Sequence, residues 1–250
     1  MKKDLPIINE EPGDWHSLQD KVALLLMECG FHTEIEKEID TTRGKVEIDV
    51  YAQKQQAFVI KLLVECKYWT KKVPQTVIHS FRTVVGDYGA NQGFIISMKG
   101  FQKGAYEAAQ KTNVSLLNWS EFLDQLKLEW LKNVIDRNYK RKEEFFLIKN
   151  KIIELTHENS ILSEHQWKDF DEIRKSNDDF LFLSFKEHYL DLETREISLP
   201  EITQRIKHYG KLLPFKVSCY REYFNGIYEI CGKGLNEMLT ILAFVNDHLK

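Results

Sequence analysis

Three charged side chains stand at the ends of two neighbouring apolar stretches, where they could act together chemically. Asp49 lies in an alternating run, residues 46–51, and Glu65 and Lys67 close a nearly continuous apolar run, residues 58–67. The first run has the period of a half-buried strand, and the second is typical of a central strand covered on both faces. The alternation predicts an apolar face and a mostly polar face, formed respectively by Val46, Ile48 and Val50 and by Glu47, Asp49 and Tyr51. An acidic and a basic side chain at the end of a buried strand incur a large desolvation free energy unless they are paired with each other or hold an ion.

A short polar loop, residues 53–56, separates the two runs and predicts an antiparallel hairpin. Such pairing would bring Asp49 roughly opposite Glu65 and Lys67, which share a face because they are two residues apart. Two close carboxylates repel each other, and a divalent cation with oxygen ligands, Mg²⁺ or Mn²⁺, relieves the repulsion. Lys67 would then orient an attacking water or balance the charge of a phosphate. The arrangement therefore predicts metal-activated hydrolysis of phosphodiesters.

A plain ion pair is the competing interpretation of these residues. Glu-x-Lys spacing is common in proteins, and an exposed Glu–Lys pair contributes little to stability or to function. The setting favours catalysis, because an apolar strand leads into Glu65 and an acid, Asp49, lies on the neighbouring strand.

Several short stretches of the first half also carry a resemblance to known proteins. They are residues 30–31 after a first helix, 43–49, 64–69, 93–97 and 100–105, followed by the pairs Ala108-Ala109 and Thr112-Asn113. Together they resemble the PD-(D/E)XK nuclease superfamily, and within it the Mrr-like restriction endonuclease domains. The resemblance implies that Asp49, Glu65 and Lys67 form a catalytic triad. Many members carry a further Glu on the first helix, and here that position is Gln19.

The resemblance implies an α/β fold with a restriction-endonuclease-like core, a mixed sheet flanked by helices, in residues 1–126. Residues 127–250 would form a mostly helical domain with a small β-hairpin, serving target recognition or dimerisation. The expected activity is that of a Mg²⁺-dependent endodeoxyribonuclease, with Mn²⁺ as a substitute, acting in restriction of foreign or modified DNA. The metal ligands would be Asp49, Glu65 and the backbone carbonyl of Cys66, since carbonyl oxygens suit hard cations.

Local patterns predict the elements of residues 1–126. The spacing predicts a first helix over residues 15–29, with Asp14 as its N-cap, followed by an edge strand over 31–38 and a turn over 40–44. Further helices are predicted over residues 74–88 and 101–111 and from residue 119. Strands are predicted over residues 93–97 and 114–117. Polar side chains after the Glu65–Lys67 strand, on the 74–88 helix and beside the 101–111 helix are candidate DNA contacts. The candidates are Lys71, Lys72, Arg82, Lys99, Gln102 and Lys103. The N-terminus of the 101–111 helix is predicted to bind an anion through its free backbone N–H groups. Gln75 is predicted either to position water or DNA or to cap its helix.

The sequence pattern of the second half is typical of long charged helices. The patterns predict helices over residues 128–158, 163–175, 178–192, 200–209 and 236–249, and a hairpin of residues 215–224 and 227–231 around a type I′ turn at Asn225-Gly226. The densest basic cluster is Arg137, Lys140, Arg141 and Lys142. Either it attracts DNA or it is a solvated helix face, and the sequence leaves both open.

Composition sets further limits. The chain has 250 residues, a net charge of −3 and four cysteines without Cys-x-x-Cys spacing, which indicates reduced cysteines in a cytoplasmic protein. We find no signal peptide and no apolar run long enough to cross a membrane. The weak overall charge counts against strong DNA binding.

Two alternatives to a restriction nuclease stay open. The first is a non-cleaving DNA-binding or assembly module on the same fold, and the second is a repair or junction-resolving nuclease. A homodimer, or a partner subunit bound through residues 127–250, would supply the second active site that a double-strand cut requires.

Overall fold

A computed structural model describes residues 5–157, 161–191, 194 and 196–249. The chain folds into two compact units. The first is Glu10–Asn133, and the second combines the described residues of Met1–Asn9 and Val134–Lys250. The boundary lies slightly beyond residue 126, and the domain limits deduced from sequence stay a prediction.

The first unit contains a five-stranded mixed sheet with helices around it. Its elements are α1 (Trp15–Glu28), β1 (His32–Thr41), β2 (Gly44–Gln55), β3 (Val59–Lys67), α2 (Gln75–Tyr88), β4 (Gln92–Ser97), α3 (Lys103–Ala109), β5 (Val114–Asn118) and the start of α4 (Trp119–Thr156). The strand order is β1-β2-β3-β4-β5, antiparallel for the first two pairings and parallel for the last two. This confirms the predicted core, with β1 at an edge.

Helix α1 forms where the periodicity predicted it. Asp14 caps its N-terminus by accepting a hydrogen bond from the Ser17 backbone N–H at 2.8 Å. Its apolar stripe, including Leu18, Val22 and Leu25, is fully buried, and the helix packs against β1, β2 and β3.

A second hydrophobic core lies between the sheet and the helices α2 and α3. Phe81 and Val85 of α2 meet Leu63 of β3 and Ile95 of β4 in this core, and no residue of α1 belongs to it. The sheet therefore separates α1 from the α2–α3 pair, which is why β3 reads as apolar on both faces.

The predicted faces of β2 were wrong, because its alternation is broken at Asp49. Ile48 and Tyr51 are three residues apart, yet both pack in the core beneath α2. The ladder between β1 and β2 skips Glu36 and Asp49, and Glu36 has a left-handed backbone with φ of 52°. An irregularity of this kind re-aims a side chain, which simple period-two counting does not anticipate.

Other boundaries moved as well. β2 continues to Gln55, so the turn to β3 lies at residues 56–58 rather than at 53–56. Helix α3 has seven residues, fewer than the predicted 101–111. The helix that starts at Trp119 runs without interruption to Thr156, where the sequence pattern suggested two helices.

The second unit is helical among the residues described. Besides the end of α4, it contains α5 (Glu164–Leu183), a 3₁₀ turn (Lys186–Tyr189), α6 (Leu199–Tyr209) and α7 (Tyr220–His248). Helix α6 was predicted correctly, whereas α5 is one helix where 163–175 and 178–192 were expected. The predicted ends at Glu158 and Leu192 lie outside the described residues.

The predicted β-hairpin was wrong, since residues 220–231 belong to α7. Buried Tyr220, Phe224, Ile227 and Cys231 recur every three or four residues, which is the helical period. Gly226 is needed within the helix for space, because a Cβ there would lie 2.1 Å from Cζ of Phe215.

The basic cluster on α4 is mostly turned into the second unit. The guanidinium groups of Arg137 and Arg141 lie 4.5 and 4.2 Å from the ring centre of Tyr228. Lys142 is buried, with its ammonium 3.6 Å from the ring centre of Phe185. Cation–π packing thus occupies three of the four side chains, and only Lys140 is exposed as a DNA contact would require.

The four cysteines are buried and none is in a disulfide, as the sequence predicted. Within the described ranges, no helix is both long enough and apolar enough to span a bilayer.

Gly93 on β4 is expected to tolerate no side chain. A Cβ there would lie 2.6 Å from Cγ2 of Val85 and 2.8 Å from Cε1 of Phe81. We expect Gly93→Ala to lower the free energy of unfolding by about 1–3 kcal/mol, measured by urea denaturation. The matched control is Gly86→Ala in α2, where a Cβ meets nothing within 4 Å. It should raise stability by about 0.5–1 kcal/mol. Equal effects of the two substitutions would contradict this packing.

Candidate active site

The site begins where the pairing of β2 and β3 ends. The last paired residues are Val50 and Val64, and Asp49 is the next residue of β2. Its Oδ2 accepts a hydrogen bond from the Cys66 backbone N–H at 2.6 Å. The carboxylate therefore takes the place of the next ladder partner. The predicted register, with Asp49 close to Glu65, is confirmed.

The direction of the Cys66 carbonyl follows from the pairing on the other side of β3. The carbonyls of Lys61 and Lys67 accept hydrogen bonds from Asn91 and Met98 next to β4. In an extended strand the N–H and C=O of one residue point the same way, and neighbouring residues alternate. The Cys66 carbonyl therefore points to the β2 side, as its N–H does, toward the edge where Asp49 lies.

Gln19 fixes the other oxygen of Asp49. Its side chain is 4% exposed, and its Nε2 donates to Asp49 Oδ1 at 3.0 Å. A Glu at this position could accept but not donate at neutral pH, so it would repel Asp49 in the absence of a cation. Gln19 is thus a positioning residue for Asp49 and supplies no third carboxylate.

Glu65 and Lys67 form an ion pair on the α2 side of the sheet, and both are mostly buried. They lie in a cleft of about 380 Å³ between the sheet and α2. Its wall is apolar, built from Val46, Ile48, Val77, Phe81 and Val84. Its polar groups besides the ion pair come from Glu47, Thr76 and Ser80, and Trp69 stands at its side.

Burial raises the pKa of Glu65 above its ordinary value, and the negative charge of Asp49 raises it further. Lys67 lowers this pKa through its charge and its hydrogen bond, but the net shift is upward. Burial, with a smaller contribution from the charge of Asp49, therefore outweighs the stabilisation that Lys67 gives to the ionised Glu65 carboxylate.

The donor set suits a divalent cation. Two carboxylates and a carbonyl are hard oxygen ligands, which suit a divalent cation such as Mg²⁺. Among the described residues, no three His, Cys, Asp or Glu side chains are clustered to hold a metal. Mg²⁺ is commonly held by only one or two carboxylates, with waters and substrate phosphates completing its shell. The residues present fit such an ion.

The loops after β3 and β4 are tied together at the same edge of the sheet. The Val73 N–H donates to the Gly100 carbonyl at 3.0 Å, and the Gln102 N–H donates to the Val73 carbonyl at 3.0 Å. The exposed side chains on these loops and at the start of α3 are Lys71, Lys72, Lys99, Gln102 and Lys103. Five of the six predicted DNA contacts are thus brought to the edge where β3 ends.

Arg82 is not brought to this edge. It lies on the side of α2 away from Thr76 and Ser80, where its Nη1 donates to the Ala108 carbonyl at 2.9 Å. Gln75 is exposed at the start of α2, and its Oε1 comes near the start of α3, since it would lie 2.7 Å from a Cβ on Gly104.

The anion site expected at the N-terminus of the 101–111 helix stays a prediction. The helix itself, α3, has only seven residues, and Gln102 makes no side-chain capping bond. So short a helix adds little to the charge field of the exposed Lys99 and Lys103.

Sequence reasoning did not single out Trp69 as a site residue. It is 42% exposed, and its ring centre lies 5.4 Å from the Lys67 ammonium. The signal was present, because Glu65, Lys67 and Trp69 recur with period two and so share a face of an extended segment.

The geometry agrees with a family comparison. A family model described as "Restriction endonuclease", that of the Mrr catalytic domain, matches residues 12–126. Residues 12–126 therefore resemble the catalytic domain of the Mrr-like restriction endonucleases. These are PD-(D/E)XK-type nucleases, and the match supports a nuclease domain in these residues, the Mrr-like domain. None of the curated proteins matches the chain.

Similarity to solved structures is distant. A crystal structure of a protein of unknown function is 23% identical, with a TM-score of 0.37, over 43% of this chain and 59% of that chain. A repair endonuclease from Pyrococcus abyssi is 16% identical, with a TM-score of 0.32, over 45% and 50% of the two chains. A cryoEM structure of a DrdV–DNA complex is 9% identical, with a TM-score of 0.26, over 92% and 24%. The matches span about half to three fifths of the first two proteins, and they carry no argument on mechanism.

We expect Glu65→Gln to stabilise the protein at pH 7 in EDTA. The folded-state pKa of Glu65 is raised, so ionisation of Glu65 lowers stability as pH rises from its ordinary pKa through the folded value. The glutamine mimics the protonated form. It should raise the Tm by about 2–4 °C for each kcal/mol gained. The gain should vanish below the ordinary pKa of a glutamate.

The control for this measurement is Glu47→Gln, an exposed carboxylate in the same cleft, which should leave the Tm unchanged. A lower Tm of Glu65→Gln at pH 7 would show that the ion pair with Lys67 outweighs burial.

Proposed function

We propose that the Mrr-like domain is a divalent-metal-dependent DNA endonuclease whose catalytic residues are Asp49, Glu65 and Lys67. The observation that carries this proposal is the hydrogen bond from the Cys66 N–H to Asp49 at 2.6 Å. It holds one carboxylate at the end of the ladder, where the Cys66 carbonyl also points. The second carboxylate, Glu65, adjoins it on the same strand end.

The metal ligands in this proposal are Asp49, Glu65 and the Cys66 carbonyl, with Mg²⁺ as the natural ion and Mn²⁺ as a substitute. When bound, the ion would lower the pKa of a water and stabilise charge that develops on the phosphate. Because Gln19 donates to Asp49 rather than offering a carboxylate, the protein supplies two acidic ligands.

Lys67 has two roles in this proposal. Without a cation its ammonium neutralises Glu65, which keeps the buried acid from destabilising the fold further. When Glu65 binds a cation, the Lys67 ammonium would be available to hydrogen-bond the attacking water or a phosphate oxygen. The apolar wall formed by Val77, Phe81 and Val84 limits water around these groups and strengthens their electrostatic interactions.

DNA would approach the edge formed by the loops after β3 and β4. Lys71, Lys72 and Lys99 are exposed there and form no ion pair with a residue that the structure describes. Such lysines suit phosphate contacts, whose strength falls with added salt. A double-strand cut would need a second copy of the chain or a partner subunit bound through residues 127–250.

The biological role that we infer is restriction of foreign or modified DNA, and the family of the domain is what supports it. A repair or junction nuclease would instead prefer branched substrates. A binding module would retain DNA without cutting it.

The test is cleavage of methylated and unmethylated plasmid DNA with Mg²⁺, Mn²⁺ or EDTA. Asp49→Asn and Lys67→Met should each lower the cleavage rate by more than about a hundredfold, because even partners outside a metal's ligand shell contribute 10–100-fold. Both variants should keep the wild-type circular dichroism spectrum. Methylation-dependent cutting would support the restriction role.

Glu47→Gln is the matched control, since it neutralises a carboxylate of the same cleft that is outside the proposed ligand set. Its cleavage rate should stay within about twofold of wild type. Cleavage in EDTA, or wild-type rates in Asp49→Asn, would refute the proposal. DNA that is bound but never cut would assign the domain to the binding-module alternative.

A further inference from the structure

The second unit contains a cleft of about 730 Å³ that the nuclease proposal does not use. It lies between the end of α6 and the segment that leads into α7. A cleft of this size accommodates a small organic ligand of several rings. Its floor is mostly apolar and includes Ile206 and Leu213, both largely buried.

Three lysines stand around this floor, Lys207, Lys211 and Lys216, and all three are exposed. No acidic residue of the described chain lines the cleft. None of the three lysines forms an ion pair with any residue in the described part of the chain. Elsewhere in this unit lysines do form such pairs, as Lys151 does with Glu154 and Lys168 with Glu172. The cleft is therefore locally positive in a protein whose net charge is −3.

An aromatic ring also lines the cleft. Phe215 packs so closely on α7 that a Cβ on Gly226 would lie 2.1 Å from its Cζ. The ring is half-buried and belongs to the cleft lining as well. A ring held on one side by a helix gives planar ligand groups a fixed surface for stacking.

We propose that this cleft binds a nucleotide, with phosphate at Lys207, Lys211 and Lys216 and the base on the apolar floor beside Phe215. Positive charge next to an aromatic ring suits a ligand that carries both phosphate and a planar ring system. The same chemistry is offered by a free nucleotide and by a nucleotide within a single DNA strand. The proposal does not depend on cleavage by the first unit.

The experiment uses the full chain in EDTA with two probes, a fluorescein-labelled dodecathymidylate followed by anisotropy and ATP followed by calorimetry. Lys71→Gln and Lys72→Gln are present in every protein compared, to remove strand binding at the nuclease edge. Replacing Lys207, Lys211 and Lys216 together by Gln should weaken binding at least about tenfold. It should also lower the slope of log K against log salt concentration by about one for each phosphate that a lysine no longer binds.

Phe215→Leu should weaken binding about fivefold without changing the salt slope, because it removes stacking and no charge. The matched control replaces Lys132, Lys175 and Lys233 by Gln, three exposed lysines outside the cleft. It makes the same change in net charge and should leave affinity within about twofold. Circular dichroism confirms that each variant is folded.

The two probes distinguish the sources of the ligand. Binding of ATP, with displacement of the oligonucleotide, assigns the cleft to free nucleotides. Binding of the oligonucleotide alone assigns it to single-stranded DNA. The proposal is overturned if neither probe binds, if the cleft variant binds as the wild type does, or if the control variant loses affinity equally.

Discussion

The active-site end of the sheet depends on one hydrogen bond, from the Cys66 N–H to the carboxylate of Asp49. Where β2 leaves β3, the N–H and C=O of β3 lose their backbone partners, and an unpaired buried N–H is costly. Asp49 accepts a hydrogen bond from this N–H, so its carboxylate takes the place of a backbone carbonyl at the end of the ladder. The backbone of β3 therefore fixes the position of the carboxylate. The same strand end leaves the Cys66 carbonyl directed to the same side, so one structural feature places both oxygens of the proposed metal site.

This geometry destabilises the ionised form of the Glu65 side chain. Its carboxylate follows Val64 in a buried strand, close to Asp49, and its pKa is raised although Lys67 is bound to it. The fold tolerates the cost because α2 and the sheet share a large apolar core around Phe81. Gln19 limits the repulsion by donating to Asp49 where another carboxylate would add charge. A raised pKa at a buried carboxylate beside a second acid is typical of groups arranged for chemistry rather than for stability.

Much of the nuclease domain could be predicted because its signals are local. The apolar stripe of α1, the continuous apolar run of β3 and the spacing of Glu65 and Lys67 each depend on a few neighbouring residues. The faces of β2 could not be predicted, because the break in its alternation at Asp49 coincides with a left-handed residue, Glu36, on the neighbouring strand. Asn225-Gly226 misled for a similar reason. The pair is a strong turn signal, yet here the glycine lies within α7 and leaves room for Phe215 from the segment before the helix.

Charge shows the same limit of sequence reasoning most clearly. The net charge of −3 counted against strong DNA binding, and the densest basic cluster along the chain lies on α4. In the folded chain Arg137, Arg141 and Lys142 lie against aromatic rings and are largely withdrawn from solvent. Lysines that are scattered in sequence, such as Lys71 and Lys99, are instead exposed together on loops joined through Val73 and Gly100. A phosphate is therefore attracted by the cationic side chains that folding leaves exposed and unpaired. Neither the net charge nor the density of basic residues along the chain measures how many such side chains there are.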